Sequence, residues 1–256
     1  MRSSHPSGSA PSASAATRRG VLRAGLVAGL TLAATGTAPT PVRVFAAPVS
    51  GSSRDRRLFA IARDELERQG AAIVRRDVVA IADFGHPSAV KRFHLLDMEA
   101  GRLRSFRVTH GAGSDPDHNG WLDRYSNEHG SNATSRGSYR MRSQYVGKYG
   151  ESMRMDGLEA TNSNALDRAI VMHPADYAGE AHVRQWGRLG RSNGCFAFSD
   201  ADMREMLARL PDGRLLIADS WGVTDDGSLA RRLPGGLKPL LREPARGRDR
   251  MLSAVY

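Results

Sequence analysis

One cysteine occurs in the 256 residues, Cys195, and it closes the stretch Arg188-Leu189-Gly190-Arg191-Ser192-Asn193-Gly194-Cys195. A thiol attacks as its thiolate, so chemistry at Cys195 needs a group to take the proton. A glycine just before it lets the backbone adopt unusual dihedrals and approach a substrate closely. Backbone N–H groups at such a turn can form an oxyanion hole. Cys195 lies four residues ahead of a helix start at Ser199, too far for a direct helix-dipole effect on the thiol. His173 is the partner of the right chemistry. An imidazole can take a thiol proton near neutral pH and return it to a leaving amine. The alternatives at this level are an inert buried thiol and a structural histidine, because spacing alone does not bring the two together.

The elements that must position these residues are read from periodicity. Ala169–Met172 is an apolar run that delivers His173 at its end. Ser199–Leu210 predicts a helix, with Ser199 as N-cap, acids near the start, and Met203, Met206, Leu207 and Leu210 on the buried face. A second helix is predicted over Asp55–Gln69, stopped by Gly70. Short turns of helix are expected at 162–168 and 179–186. Strands are expected at 77–83, 92–98, 102–110, 138–146, 152–156 and 214–218, the second and third joined at Ala100-Gly101. A long Gly/Ser/Asn/Asp-rich loop fills 111–137; a loop of that length inside a domain is usually functional or disordered.

The first 47 residues read as an address rather than fold. Arg18-Arg19 precede an apolar run from Ala24 to Ala34, and a small-residue site follows at Val44-Phe45-Ala46. The run is too short and too rich in Gly and Ala for a lasting membrane span. This pattern predicts a twin-arginine-type signal peptide over 1–47 and export to the periplasm or cell envelope. Residues 48–54 would be a linker, 55–220 the catalytic domain, and 221–256 a loosely structured C-terminal tail. The segment holds five arginines and no acid, so its removal takes the net charge from +10 to +5. That is not a nucleic-acid footprint. A lone cysteine in an exported chain, where thiols are normally paired, is free, bridges chains, or does chemistry.

Together, Ile170-Val171-Met172-His173-Pro174-Ala175-Asp176-Tyr177 and Gly187 to Ala197 resemble the murein L,D-transpeptidase catalytic domain family, in a YkuD-like branch. His110-Gly111, Ser126-Asn127, Ser135-Arg136-Gly137, Tyr145 to Gly150 and Asp156-Gly157-Leu158 are similar landmarks in the same order, so the likeness runs over roughly 75–220. The resemblance implies a mainly β, sandwich-like fold with peripheral α-helices. It implies peptidoglycan stem peptides as partners and neither cofactor nor metal. Carried over, Cys195 attacks the carbonyl of a meso-diaminopimelate residue and expels the terminal D-alanine, and a second stem's amine resolves the thioester into a 3→3 cross-link. Water in place of the amine gives a carboxypeptidase or endopeptidase; a wall-binding domain without catalysis is the rival of a different class. His173 is then base and later acid, Pro174 orients the imidazole through its carbonyl, and Gly194 and Cys195 offer the oxyanion N–H groups.

Two features depart from the family pattern. Better-known members carry an arginine two residues after the cysteine, where this chain has Ala197, and the His-to-Cys interval is slightly long. Arg191, and after it Arg188, are therefore the candidates for binding a substrate carboxylate, with Asn193 beside them, Ser192 orienting the thiol or the substrate, and His110 near the pocket. Asp115-Pro116-Asp117-His118-Asn119-Gly120 matches the opening of a calcium loop, but Ser126 stands where its bidentate glutamate belongs. A polar active-site loop is the preferred reading there.

Overall fold

The two central strands, Val78–Asp83 (β1) and Leu215–Asp219 (β8), are apolar on both faces because each is covered on both. The computed structural model describes residues 51–230 and 234–238. Helix α1 (Ser53–Gln69) opens on a capping box: Ser52 accepts from the Asp55 N–H at 3.1 Å while Asp55 reaches back to the Ser52 N–H at 3.3 Å. Helix formation thus starts within the stretch expected to be linker. The chain continues through Phe93–Asp97 (β2), Arg102–Phe106 (β3), Gly137–Gly147 (β4), Gly150–Gly157 (β5), Val171–Pro174 (β6), Glu180–Trp186 (α2), Phe196–Phe198 (β7), Asp200–Arg209 (α3) and then β8.

All eight strands form one sheet in the order β3-β2-β1-β8-β4-β5-β6-β7. The mainly β architecture with peripheral helices is the one expected. Its period-2 alternation sorts the side chains into two cores. Val79 and Ile81 of β1 with Leu215 and Ile217 of β8 meet Leu58, Phe59, Ala62 and Leu66 of α1 on one face. Ala80, Ala82, Leu216 and Ala218 join Met172, Phe196, Phe198 and the α3 residues Met203 and Met206 on the other. Trp221 and Val223 belong to the α1-side core, so the first residues of the expected tail pack into the body. They are held there by Asp83, whose buried carboxylate accepts the backbone N–H groups of Trp221, Gly222 and Val223 at 2.8–2.9 Å.

The segment 162–168, expected as a helical turn, is a run of tight turns. Strand β7 falls in a stretch for which the sequence predicts no element; three residues are too few for a pattern of alternation to be visible. The twin-arginine segment lies outside the described residues. Among the described residues no helix is long and apolar enough to cross a membrane.

Candidate functional site

The parallel pairing of β6 with β7 puts Cys195, the residue just before β7, beside the strand that carries His173. Met172 lies opposite Phe196, and His173 opposite Ala197. Met172 and Phe196 both point into the α3-side core. By alternation, the residues one step away, His173 and Cys195, face the other side of the sheet together, Cys195 level with Val171. Helix α3 anchors this edge: Ser199 caps it by accepting the Asp202 N–H at 3.2 Å, and Met203 and Met206 seal the core beneath both strands.

The imidazole is held in one tautomer. Its Nδ1 is 2.9 Å from the Pro174 carbonyl oxygen, which can only accept, so Nδ1 carries the proton and Nε2 presents a lone pair. The ring of Tyr149 stacks on the imidazole, centroids 4.5 Å apart and planes 21° from parallel. Burial lowers the His173 pKa; the Pro174 bond opposes this and the Lys148 charge adds to it. Burial likewise pushes the Cys195 thiol up, against a hydrogen bond from the Val171 backbone and the charges of Arg168 and Lys148. Both shifts favour the neutral form of the group concerned. The half-buried thiol donates to the Ala169 carbonyl at 3.5 Å, and Ala169 is one of three non-glycine residues among those described with positive φ, at 53°.

The turn before Cys195 is a knot of close backbone contacts. Gly194 has φ +111°, and a Cβ on it would sit 2.7 Å from both the Ala133 carbonyl oxygen and the Ile170 Cδ1. Gly111 is pressed against Gly194 so closely that a Cβ there would lie 2.7 Å from the Gly194 nitrogen. Ser192 ties the turn from within: its hydroxyl donates to the Cys195 carbonyl at 2.7 Å and accepts the Gly194 N–H at 3.2 Å. The Gly194 N–H, expected as an oxyanion donor, is thus already used, and Ser192 braces the turn. Its backbone bridges to the 110–112 segment, accepting from Ala112 at 2.8 Å and donating to His110 at 3.0 Å.

The remaining sequence candidates divide. Asn193 is exposed beside Cys195. The Arg191 Nη1 donates to the carbonyls of both Asp115 and Pro116 and so ties the guanidinium to the loop opposite. Arg188 lays its side chain against Gly120 and donates to the Trp186 carbonyl at 3.2 Å. His110 is buried between Arg92, whose Nη2 donates to Nδ1 at 2.7 Å, and Asp115, which accepts from Nε2 at 3.2 Å. Burial and the Arg92 charge push its pKa down to about 4, so it is a neutral strut beneath the cysteine loop. Burial would raise the pKa of Asp115, but the His110 bond and the N–H groups of Asn119 and Gly120 hold it down to about 2. Its carboxylate is thereby engaged by the protein itself. Among the described residues no group of three or more His, Cys, Asp or Glu side chains is placed to hold a metal ion.

Sequence reasoning missed Arg92, Lys148, Tyr149 and Arg168. Arg168 donates to the carbonyls of Ser126 and Ala133 at 2.8 and 2.6 Å and to the hydroxyls of Ser135 and Ser131 at 2.5 and 3.1 Å. The one available clue was the density of Ser and Asn in the 126–135 loop, which must be satisfied by something if the loop is buried.

The profile of the L,D-transpeptidase catalytic domain family matches residues 52–218, and the chain belongs to that family. Comparison with curated proteins finds no match. Solved structures similar to it include an L,D-transpeptidase from Mycobacterium smegmatis (13% identity, 56% of this chain and 58% of that one, TM-score 0.34). Another L,D-transpeptidase, from Mycobacterium tuberculosis, shares 16% identity over 56% of this chain and 57% of its own, TM-score 0.33. A variant of the helical cell shape determining protein Pgp2 from Campylobacter jejuni shares 12% identity over 67% and 57%, TM-score 0.39. The chain thus spans 57–58% of the length of these three structures.

Proposed function

We propose that this protein is a peptidoglycan L,D-transpeptidase with Cys195 as nucleophile and His173 as its acid and base. The observation that carries the reading is the Nδ1 bond to Pro174, which leaves Nε2 free to accept a proton on the sheet face that Cys195 shares. Since burial favours the neutral form of each group, His173 takes the thiol proton as sulfur attacks, rather than from a preformed ion pair. Sulfur bonds to the carbonyl carbon of the stem peptide, the amide C–N bond breaks, and the imidazolium returns the proton to the departing D-alanine amine. A second amine attacks the thioester, gives up its proton to His173, and releases the thiol with a new amide bond. With the Gly194 N–H bound to Ser192, the Cys195 N–H is the donor of that turn available to the oxyanion.

Peptidoglycan as substrate follows from the family and implies action in the cell envelope. We propose delivery there by the twin-arginine route, supported by the order of Arg18-Arg19, apolar run and small-residue site. Replacing both arginines by lysine should leave unprocessed precursor in the cytoplasm; normal processing of that variant would exclude the route.

Incubation of the mature protein with tetrapeptide muropeptides, read by mass, tests the reaction. The expected products are a Cys195 acyl-enzyme and a cross-linked dimer less one D-alanine. Tripeptide alone makes water the acceptor and the protein a carboxypeptidase. Unchanged muropeptides, with no adduct on Cys195, refute the enzyme.

A further inference from the structure

We propose that the ammonium of Lys148 is the carboxylate-binding group of this site, recognising the free carboxylate of the residue that leaves during acylation. This rests on the reading of Cys195 as nucleophile.

Several cations around the site are engaged by the protein itself. Arg191 is engaged with two loop carbonyls, Arg188 with the Trp186 carbonyl, and Arg168 with four oxygens of the 126–135 loop. Arg92 is fully buried under His110. Arg168 and Arg92 are thus taken up by the protein, while Arg191 and Arg188 are each held to backbone carbonyls through Nη1. Lys148 is different. It is exposed, and among the described residues no carboxylate pairs with it.

Its position is set by the β4–β5 hairpin, whose strands pair up to Gly147 opposite Gly150, so that Lys148 and Tyr149 are the two residues of the turn. A two-residue turn of this kind fixes where its side chains leave the backbone. Gly150 has φ +87°, and a Cβ there would lie 3.6 Å from the Pro174 ring, which puts the turn directly over the end of β6. The Lys148 ammonium lies 4.7 Å from the centre of the Tyr149 ring, and that ring in turn covers His173. Cation, aromatic ring and imidazole form a stack that ends at the catalytic pair. The Lys148 charge is felt by both members of the pair. A compact ammonium on a flexible stem suits a carboxylate that arrives and departs with each turnover.

The test uses two alkylating reagents of nearly the same shape, anionic iodoacetate and neutral iodoacetamide, on the full chain at pH 7 and low salt. Each transfers its carbon to the Cys195 sulfur with loss of iodide, so a change in thiolate fraction cancels in the ratio of rates. The expected iodoacetate/iodoacetamide ratio falls about three- to tenfold in Lys148→Met, the scale of an exposed ion pair at low salt. It should recover in Lys148→Arg and fall in the unaltered protein at high salt. A matching rise in KM for the free-acid donor peptide, absent for its C-terminal amide, ties the charge to substrate. An unchanged ratio in a Lys148→Met protein with the parent circular dichroism overturns the proposal, as does an equal KM change for acid and amide. A thiol inert to both reagents instead overturns Cys195 as nucleophile, and this proposal with it.

Discussion

The guanidinium of Arg168 lies 2.6 Å from the carbonyl oxygen of Ala133, the same oxygen against which the turn at Gly194 is packed. One cation thus stands behind the backbone that carries the nucleophile. Three further bonds, to Ser126, Ser131 and Ser135, fasten the loop that supplies this oxygen. Arg168→Met keeps the stem and deletes the fork. It should lower stability by about 2 kcal/mol, since hydrogen bonds to charged groups contribute roughly 1.5–3 kcal/mol and some oxygens will find water. Acylation should slow as well, and a melting curve beside a carbapenem-labelling rate would show both. Unchanged labelling in a destabilised variant would mean that the loop does not govern the thiol.

Gly194→Ala tests the knot itself. At φ +111° any L residue is strained. Its Cβ would also meet the Ala133 oxygen, a backbone atom that cannot swing away. A loss of about 2–4 kcal/mol is expected, with acylation reduced in the fraction that folds. Chemical denaturation gives the first number and intact-mass labelling the second. A variant as stable as the parent would show that the turn relaxes freely.

His173→Gln should slow acylation roughly 10²–10⁴-fold, the usual scale for a positioned acid/base. The pH dependence carries the finer test. The base must be neutral to act, and burial lowers the His173 pKa. The rising limb of the acylation rate should therefore have its midpoint below pH 6.5, the ordinary histidine value. A midpoint above 6.5 would mean that burial does not lower the His173 pKa, and a falling limb above neutral pH would point to a thiolate–imidazolium ion pair in the resting enzyme.

His110 makes a separate prediction about stability. Its pKa is about 4 in the folded protein, while the unfolded chain has the ordinary value near 6.5. Between these values the unfolded state binds the extra proton, so stability falls as pH drops from about 6.5 to about 4 and does not fall further from this group. The shift corresponds to about 3 kcal/mol. His94, pushed down to about 3 by burial, adds in the same direction, whereas Asp115 titrates below this window. Urea midpoints at pH 7 and pH 4.5 should differ accordingly, and the difference should shrink in His110→Gln. Equal midpoints in the parent protein would mean that His110 is protonated in place.

What was legible in the sequence follows from what local chemistry can express. Helix α3 announced itself through Ser199 and an apolar stripe, and α1 through its stripe and the stop at Gly70, because caps and periodicity act within one turn of chain. Cys195 and His173 stood out by residue type. Their shared face was not legible, because it depends on the Met172–Phe196 register, and β7 is too short to show a pattern. The arginines misled for a related reason. Arg191 was conspicuous through its nearness to the cysteine in the chain, yet its partners, Asp115 and Pro116, lie about 75 residues away, and a sequence offers no view of which cations have already been spent. Lys148 and Tyr149 were noted only as part of a similar stretch, since nothing local says that their hairpin ends over His173.

Arg191 is therefore expected to hold the loop rather than the substrate. Its guanidinium bridges to the 115–116 carbonyls, and Asp115 in turn anchors His110 under the cysteine turn. Removing the fork leaves two carbonyls to be satisfied by water at a partly buried site, which costs about 1–2 kcal/mol. Arg191→Ala should lower the melting temperature by a few degrees, the shift that such a loss gives in a domain of this size. Arg191→Lys should stay nearer the parent, because a single nitrogen makes both contacts and an ammonium can take its place. In either variant the protein that remains folded should keep its KM for a stem peptide, while Lys148→Met should raise it. The comparison is made on one plot, KM against thermal midpoint for the three variants. A raised KM with an unmoved midpoint in Arg191→Ala would return the carboxylate to Arg191 and release the carbonyl contacts as incidental.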